Sequence, residues 1–181
     1  MQAEINATAI ESVVKIKTHP FTDHRGTFLN AFRSQDDAFL ISWGDREINQ
    51  VNISRTENVG AIRGLHFQSP PYSEAKIVRC LKGKVWDVAV DLRIDSSTYG
   101  KWIAIELNSS QGNAFFIPEG CAHGFQVLES GSELLYLHSG EWVPEAEAGV
   151  RWDDPTLGIK WPLTVTDISP GDKALPSLNL L

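Results

Sequence analysis

Along most of the chain, apolar and polar residues alternate with a period of two, in short runs broken by glycine, proline and asparagine. That period sends successive side chains to opposite faces of an extended segment, so it predicts strands rather than helices. Val13-Val14-Lys15-Ile16-Lys17-Thr18 predicts an opening strand, His19 to Gly26 a turn-rich loop, and Thr27 to Arg33 a second strand. Ser34 to Leu40 predicts the one short helix, with Ser34 as its cap. Asn49 to Ser54 alternates as a half-buried strand should. Lys76 to Leu81 and Val85 to Arg93, joined by Lys82-Gly83-Lys84, predict a hairpin. Trp102 to Leu107, Ala114 to Ile117, His123 to Leu128 and Glu133 to Trp142 complete the set. Short strands at intervals of about ten residues predict an all-β fold, an antiparallel β-sandwich or barrel with few short helices. No internal linker, repeat or low-complexity tract interrupts residues 1–181, which read as a single domain. The proline-rich tail from about Trp152 is expected to pack as irregular coil.

Two strands carry polar groups where alternation predicts a covered face. In Val85 to Leu92, Trp86, Val88, Val90 and Leu92 share one face, and Asp87, Ala89 and Asp91 the other. The two carboxylates suit either a polar cavity or an ordinary solvated face. In Glu133 to Trp142, Leu134, Tyr136 and His138 share a face.

Composition narrows the function classes. A hydrophobic content of 42% with 22% charged residues is that of a folded globular domain. The formal charge of −7 argues against nucleic acid or an anionic membrane as partner, though not against a small anionic ligand held by a local cationic cluster. Met1-Gln2-Ala3-Glu4-Ile5-Asn6 has neither a basic region nor a long apolar run, so no signal peptide is expected. No stretch is long and apolar enough for a membrane helix. Cys80 and Cys121 form no CxxC and are expected to be reduced and buried. The expectation is a soluble cytoplasmic protein.

The candidate chemistry centres on Arg63-Gly64-Leu65-His66-Phe67-Gln68, followed by Ser69-Pro70-Pro71-Tyr72 and Lys76. Polar groups on a strand that should be buried need partners. His66 is either a core histidine satisfied by the backbone or a base flanked by cations that hold an anionic substrate. Further on, Gly112-x5-Pro118-x-Gly120-x2-His123 has the spacing of the second cupin motif, in which the histidine points into a small β-barrel. The first cupin motif supplies an HxH pair, whereas this chain has His66-Phe67-Gln68. A metal site usually needs three protein ligands. His66, His123 and Asp87 could supply such a set, but without the HxH pair no metal is expected.

Taken in order, the following segments resemble the nucleotide-sugar 3,5-epimerases of the dTDP-4-dehydrorhamnose type: Asp23-x-Arg25-Gly26, Gln50-x-Asn52-x-Ser54, Arg63 to Gln68, Ala75-Lys76 and Asp87 to Arg93. The match continues through Ile117-Pro118-Glu119-Gly120-x-Ala122-His123-Gly124-Phe125, Leu135-Tyr136, Pro144-Glu145-x-Glu147 and Trp152-Asp153-Asp154-Pro155. Each is a weak signal alone; the ordered set is specific. The resemblance implies a cupin-type jelly roll and a cofactor-independent epimerase of a nucleotide-linked 4-keto-6-deoxyhexose. Such an enzyme inverts C3, C5 or both through an enolate. It needs a base, an acid on the opposite ring face and a cation near the enolate oxygen. No redox cofactor is required, in keeping with the lack of a Gly-rich dinucleotide loop.

The resemblance implies His66 as base, Asp172 as its orienting carboxylate, Tyr136 as acid and Lys76 as the cation at the enolate. It implies His123, paired with Asp87, close to the sugar. Arg63 and Arg25 would hold the diphosphate, Gln50 and Asn52 the nucleoside side, and Glu147 a further substrate contact. It also implies a homodimer in which N-terminal strands cross to the partner. Departures from the family pattern cluster on the nucleotide side. Asn30, expected as a substrate-binding residue by its position, stands where a glutamate is usual, Val51 replaces an acid, and Leu137 to Trp142 replaces a segment with a tyrosine pair. Trp142 offers an alternative stacking face. A dTDP-linked sugar is the first expectation, with CDP- or GDP-linked sugars as alternatives. A metal-dependent cupin enzyme and a non-catalytic nucleotide-sugar binder are the competing classes.

Overall fold

The structure is a computed structural model that describes residues 3–181, so Met1 and Gln2, on which part of the N-terminal reading rests, lie outside it. In chain order the strands are β1 (Glu4–Ala7), β2 (Val14–Lys17), β3 (Phe21–Asp23), β4 (Gly26–Phe28), β5 (Gln50–Thr56), β6 (Ile62–Gln68) and β7 (Lys76–Lys82). They continue with β8 (Lys84–Asp91), β9 (Trp102–Asn108), β10 (Asn113–Ile117), β11 (Cys121–Val127), β12 (Ser132–His138) and β13 (Glu147–Gly149). Helices α1 (Asp37–Ser42) and α2 (Pro170–Lys173) are short. One sheet has the order β1-β2-β10-β7-β12-β5, the other β13-β6-β11-β8-β9, and β3-β4 is a separate hairpin. The pairings within these sheets are antiparallel. This is the expected cupin-like β-sandwich. No helix among the described residues is long and apolar enough to cross a membrane.

The alternation seen in the sequence sorts side chains into three apolar layers. Val78, Val85, Ala89, Leu107, Phe115, Ile117, Phe125 and Leu134 fill the space between the sheets. The opposite face of β7, β10 and β12 presents Ile77, Phe116 and Leu137 to Phe39 and Trp43 of the α1 region. The outer face of the second sheet, with Leu65, Val88, Val90 and Ala122, is covered by Val150, Leu157 and Leu178. Trp86 packs edge-on against Trp102 and against Trp161 of the tail, at 5.8 and 5.5 Å between ring centroids.

Some boundaries differ from expectation for physical reasons. The helix begins at Asp37, not Ser34, because the buried carboxylate of Asp36 caps it, accepting from Ala38 N–H and also from Ala3 N–H. The second expected strand stops at Phe28. Beyond it the Ala31 carbonyl accepts from the Arg79 guanidinium, and Phe32 packs against Phe39. The last long strand stops at His138, after which the Gln68 side chain gathers the departing segment. Its amide donates to the Glu141 carbonyl and accepts from Val143 N–H. Cys80 and Cys121 are free and buried, and burial pushes their thiols up to about 11 and about 12.

Candidate active site

The inner face of the sandwich changes character along its strands. β12 runs from buried Leu134 to Tyr136 and His138, and β7 runs from Cys80 and Val78 to Lys76, always on one face. The polar ends meet at a cavity of about 540 Å³ bounded by β5, β7 and β12 of one sheet and by β6, β11 and β13 of the other.

β6 enters this cavity through a register irregularity. His66 pairs with His123 and Arg63 with Phe125, so Gly64 and Leu65 together face the single residue Gly124. Such a bulge turns the strand by one position, so Arg63 and His66, three residues apart, both line the cavity. Gly64 has φ +113°, and a Cβ there would stand 2.6 Å from Gly124 Cα, so only glycine permits the approach.

Three histidines reach the cavity, and each has its own carboxylate. His66 Nε2 lies 2.9 Å from Asp172 Oδ1, whose other oxygen accepts the Gly64 N–H at 3.0 Å. Asp172 is delivered by α2, where Ser169 Oγ accepts the Asp172 N–H. Burial raises the Asp172 carboxyl, but the His66 and Gly64 hydrogen bonds outweigh it and hold it below the ordinary range. His123 Nε2 is 2.9 Å from Asp87 Oδ1, and burial pushes the fully buried Asp87 up despite His123 and Lys76. His138 Nδ1 is 3.0 Å from Glu74 Oε2, and Glu74 Oε1 is 3.2 Å from Lys76 Nζ.

Tyr136 projects from β12, its hydroxyl 3.0 Å from Ser54 Oγ of β5. Burial raises the phenol well above its usual value, so it stays protonated near neutrality. Trp142 is 56% exposed at the mouth and donates from its indole to Glu147 Oε2 at 3.2 Å. Gln50 stands behind it, its carbonyl oxygen accepting the Trp142 N–H while its amide donates to Asn52.

Of the residues expected at the site, the cavity is lined by His66, Lys76, Tyr136, Arg63, His123, Asn52, Trp142 and Glu147, with Asp172 bonded to His66 from behind. Arg25 and Asn30 do not line it. Arg25 is at the tip of the β3–β4 hairpin, paired with Asp23, with its side chain 76% exposed. Asn30 borders a small separate recess with Thr18 and Asp36. Of the two readings left open for Asp87 and Asp91, the solvated face fails because both are buried, and only Asp87 is tied to the cavity, through His123. Asp91 closes a turn by accepting from Arg93, Ser96 and Thr98; burial raises its carboxyl, but these bonds hold it far below the usual range. Glu74 and Ser54 escaped the site prediction, and His138 was placed only by its face. Gln68 serves as a loop anchor. Among the described residues no three His, Cys, Asp or Glu side chains converge as metal ligands would.

Fold and site define the class of protein: a cupin-like β-sandwich whose cavity is furnished with histidine–carboxylate pairs, a lysine and a protonated tyrosine. The chain matches the dTDP-4-dehydrorhamnose 3,5-epimerase family over residues 7–179 and belongs to it; it is an isomerase of the epimerase type. A relative from Sinorhizobium fredii, a dTDP-4-dehydrorhamnose 3,5-epimerase, is 39% identical over 94% of this chain and 87% of its own length. Among solved structures, NovW, a 4-keto-6-deoxy sugar epimerase from the novobiocin biosynthetic gene cluster of Streptomyces spheroides, superposes with a TM-score of 0.93. It is 35% identical, over 99% of this chain and 89% of that one. The epimerase RmlC of Legionella pneumophila, solved in complex with dTDP-4-keto-L-rhamnose, also gives 0.93, at 36% identity over 99% and 95% of the two chains.

Proposed function

We propose that this chain epimerises a dTDP-linked 4-keto-6-deoxyhexose at C3, C5 or both, by acid–base catalysis through an enolate and without a cofactor. The observation that carries the reading is the position of the two proton-transfer groups. His66 comes from β6 of one sheet and Tyr136 from β12 of the other, so a sugar ring between the sheets presents opposite faces to them. Family membership and the dTDP-sugar bound by the Legionella relative support the substrate class.

In this mechanism neutral His66 removes the proton alpha to the ketone, and the C–H electron pair moves into the carbonyl to give the enolate. Asp172 orients the imidazole and stabilises the imidazolium that forms. The Lys76 ammonium stabilises the enolate oxygen. Tyr136 returns a proton to the opposite face of the carbon, and exchange of both groups with solvent resets them. Tyr136 suits this role because the phenol is held neutral until the carbanion demands its proton. Arg63 takes the diphosphate, His123 with Asp87 contacts the sugar, and Asn52, Gln50, Glu147 and Trp142 form the nucleotide side. Arg25 and Asn30 do not line this cavity, and we propose that they serve the partner's site in a homodimer.

His66→Ala and Tyr136→Phe are each expected to lower kcat by at least about a hundredfold, the scale of a general acid or base. Following epimerisation of dTDP-4-keto-6-deoxyglucose by proton NMR checks this. Near-normal turnover in either variant would remove that residue from the mechanism.

A further inference from the structure

The cavity wall holds a cluster that the mechanism above uses only at one corner. Glu74 precedes β7, and its two oxygens have different partners, Lys76 Nζ at 3.2 Å and His138 Nδ1 at 3.0 Å. The three side chains are almost wholly buried, with Glu74 and Lys76 each 8% and His138 11% exposed, yet all line the cavity. Lys76 and His138 face each other in the β7–β12 register. The His138 ring lies against the Tyr136 ring, with centroids 5.9 Å apart and planes at 25°. Its other nitrogen, Nε2, is 3.5 Å from the Asn52 side-chain amide.

A buried carboxylate is costly unless it is paired and hydrogen-bonded, and here one carboxylate meets that condition through two cavity-lining neighbours at once. A lysine side chain has several rotatable bonds and loses much freedom when its ammonium is fixed. A carboxylate at its head selects one position among many. An imidazole with a carboxylate at Nδ1 holds its proton there, leaving Nε2 as the acceptor that the Asn52 amide can meet.

We infer that Glu74 is a positioning residue of the reaction: it holds the Lys76 ammonium at the sugar and locks His138 as the Nδ1–H tautomer flat against Tyr136. The inference rests on the assignment of Lys76 and Tyr136 made above. Burial alone would raise the Glu74 carboxyl, but the bonds to His138 and Lys76 prevail and lower it, so both oxygens are free to accept. A glutamine puts an NH2 donor in place of one of these oxygens, against either the Lys76 ammonium or the His138 Nδ1–H, so it cannot match both partners.

Glu74→Gln is therefore expected to lower kcat by about ten- to a hundredfold while KM stays within about twofold, since the lost interaction acts on the transition state. His138→Asn, which leaves the Glu74–Lys76 pair intact, gives a smaller fall and stands in should Glu74→Gln not fold. Nitrogen-15 NMR of the wild-type ring provides a readout independent of turnover, with Nδ1 of His138 protonated and Nε2 bare. A Glu74→Gln kcat within twofold of wild type, or an Nε2–H tautomer at His138, would overturn the role of Glu74 and leave the epimerase reading standing. An inactive wild-type protein with the Nδ1–H tautomer would instead refute the epimerase reading and, with it, the catalytic purpose of the cluster.

Discussion

Asp172 does two things for the strand that carries His66, because one oxygen meets the imidazole and the other the Gly64 N–H. Its carboxyl is depressed below the ordinary range, although burial works in the other direction. A depressed carboxyl contributes stability that is fully present above its unfolded value of about 3.9 and is lost as pH falls through the lower folded value. Asp172→Asn is thus expected to cost about 1–3 kcal/mol of unfolding free energy at neutral pH, the scale of a broken charged hydrogen bond. Urea unfolding of both proteins should show that difference holding down to about pH 4 and narrowing below it. A gap that does not depend on pH would mean that packing, not charge, is what the substitution removes. The alternation of residues offers no hint that Asp172 meets a histidine 106 positions away; only the family resemblance pointed there. Glu74 escaped even that. A lone acid in a loop between two prolines and a strand looks solvated until the fold closes over it.

At the scale of an element, the β6 bulge is what converts a sequence pattern into a site. Counting by twos puts Arg63 and His66 on opposite faces, whereas the slip at Gly64 and Leu65 brings both to the cavity. The available signal was the glycine itself, since a glycine inside a strand pattern often marks a bulge or a close approach. Gly64→Ala would force a Cβ against Gly124 Cα and the His123 carbonyl in a left-handed backbone. It is expected to cost about 3 kcal/mol or more, visible as a large fall in melting temperature. Asp91 makes the contrasting case. Alternation correctly placed it with Asp87, yet it ends β8 and spends its bonds on Arg93, Ser96 and Thr98. Asp91→Asn should lower the melting temperature while kcat stays close to wild type, and a selective loss of kcat would assign it to the reaction instead.

For the whole molecule, the sandwich and most of its strands were legible, because period-two alternation survives wherever one sheet face meets a core. The arrangement around the cavity was less so, since it depends on where strands stop and on which loops fold back. The β3–β4 hairpin exposes Phe21 and Phe28 at 53% and 66%, and the edge strand β5 exposes Val51 and Ile53 at 55% and 66%. A homodimer that buries these side chains should scatter light with about twice the 20.1 kDa mass of one chain. Phe28→Glu should shift it towards monomer and, on the proposal that Arg25 serves the partner's cavity, lower activity as well. The central claim, proton removal and return at carbons beside a ketone, is tested most directly by turning over dTDP-4-keto-6-deoxyglucose in D2O and reading the sugar by NMR and mass spectrometry. Deuterium at C3, C5 or both, dependent on His66, is the predicted result; an unlabelled sugar after prolonged incubation with folded enzyme would contradict it.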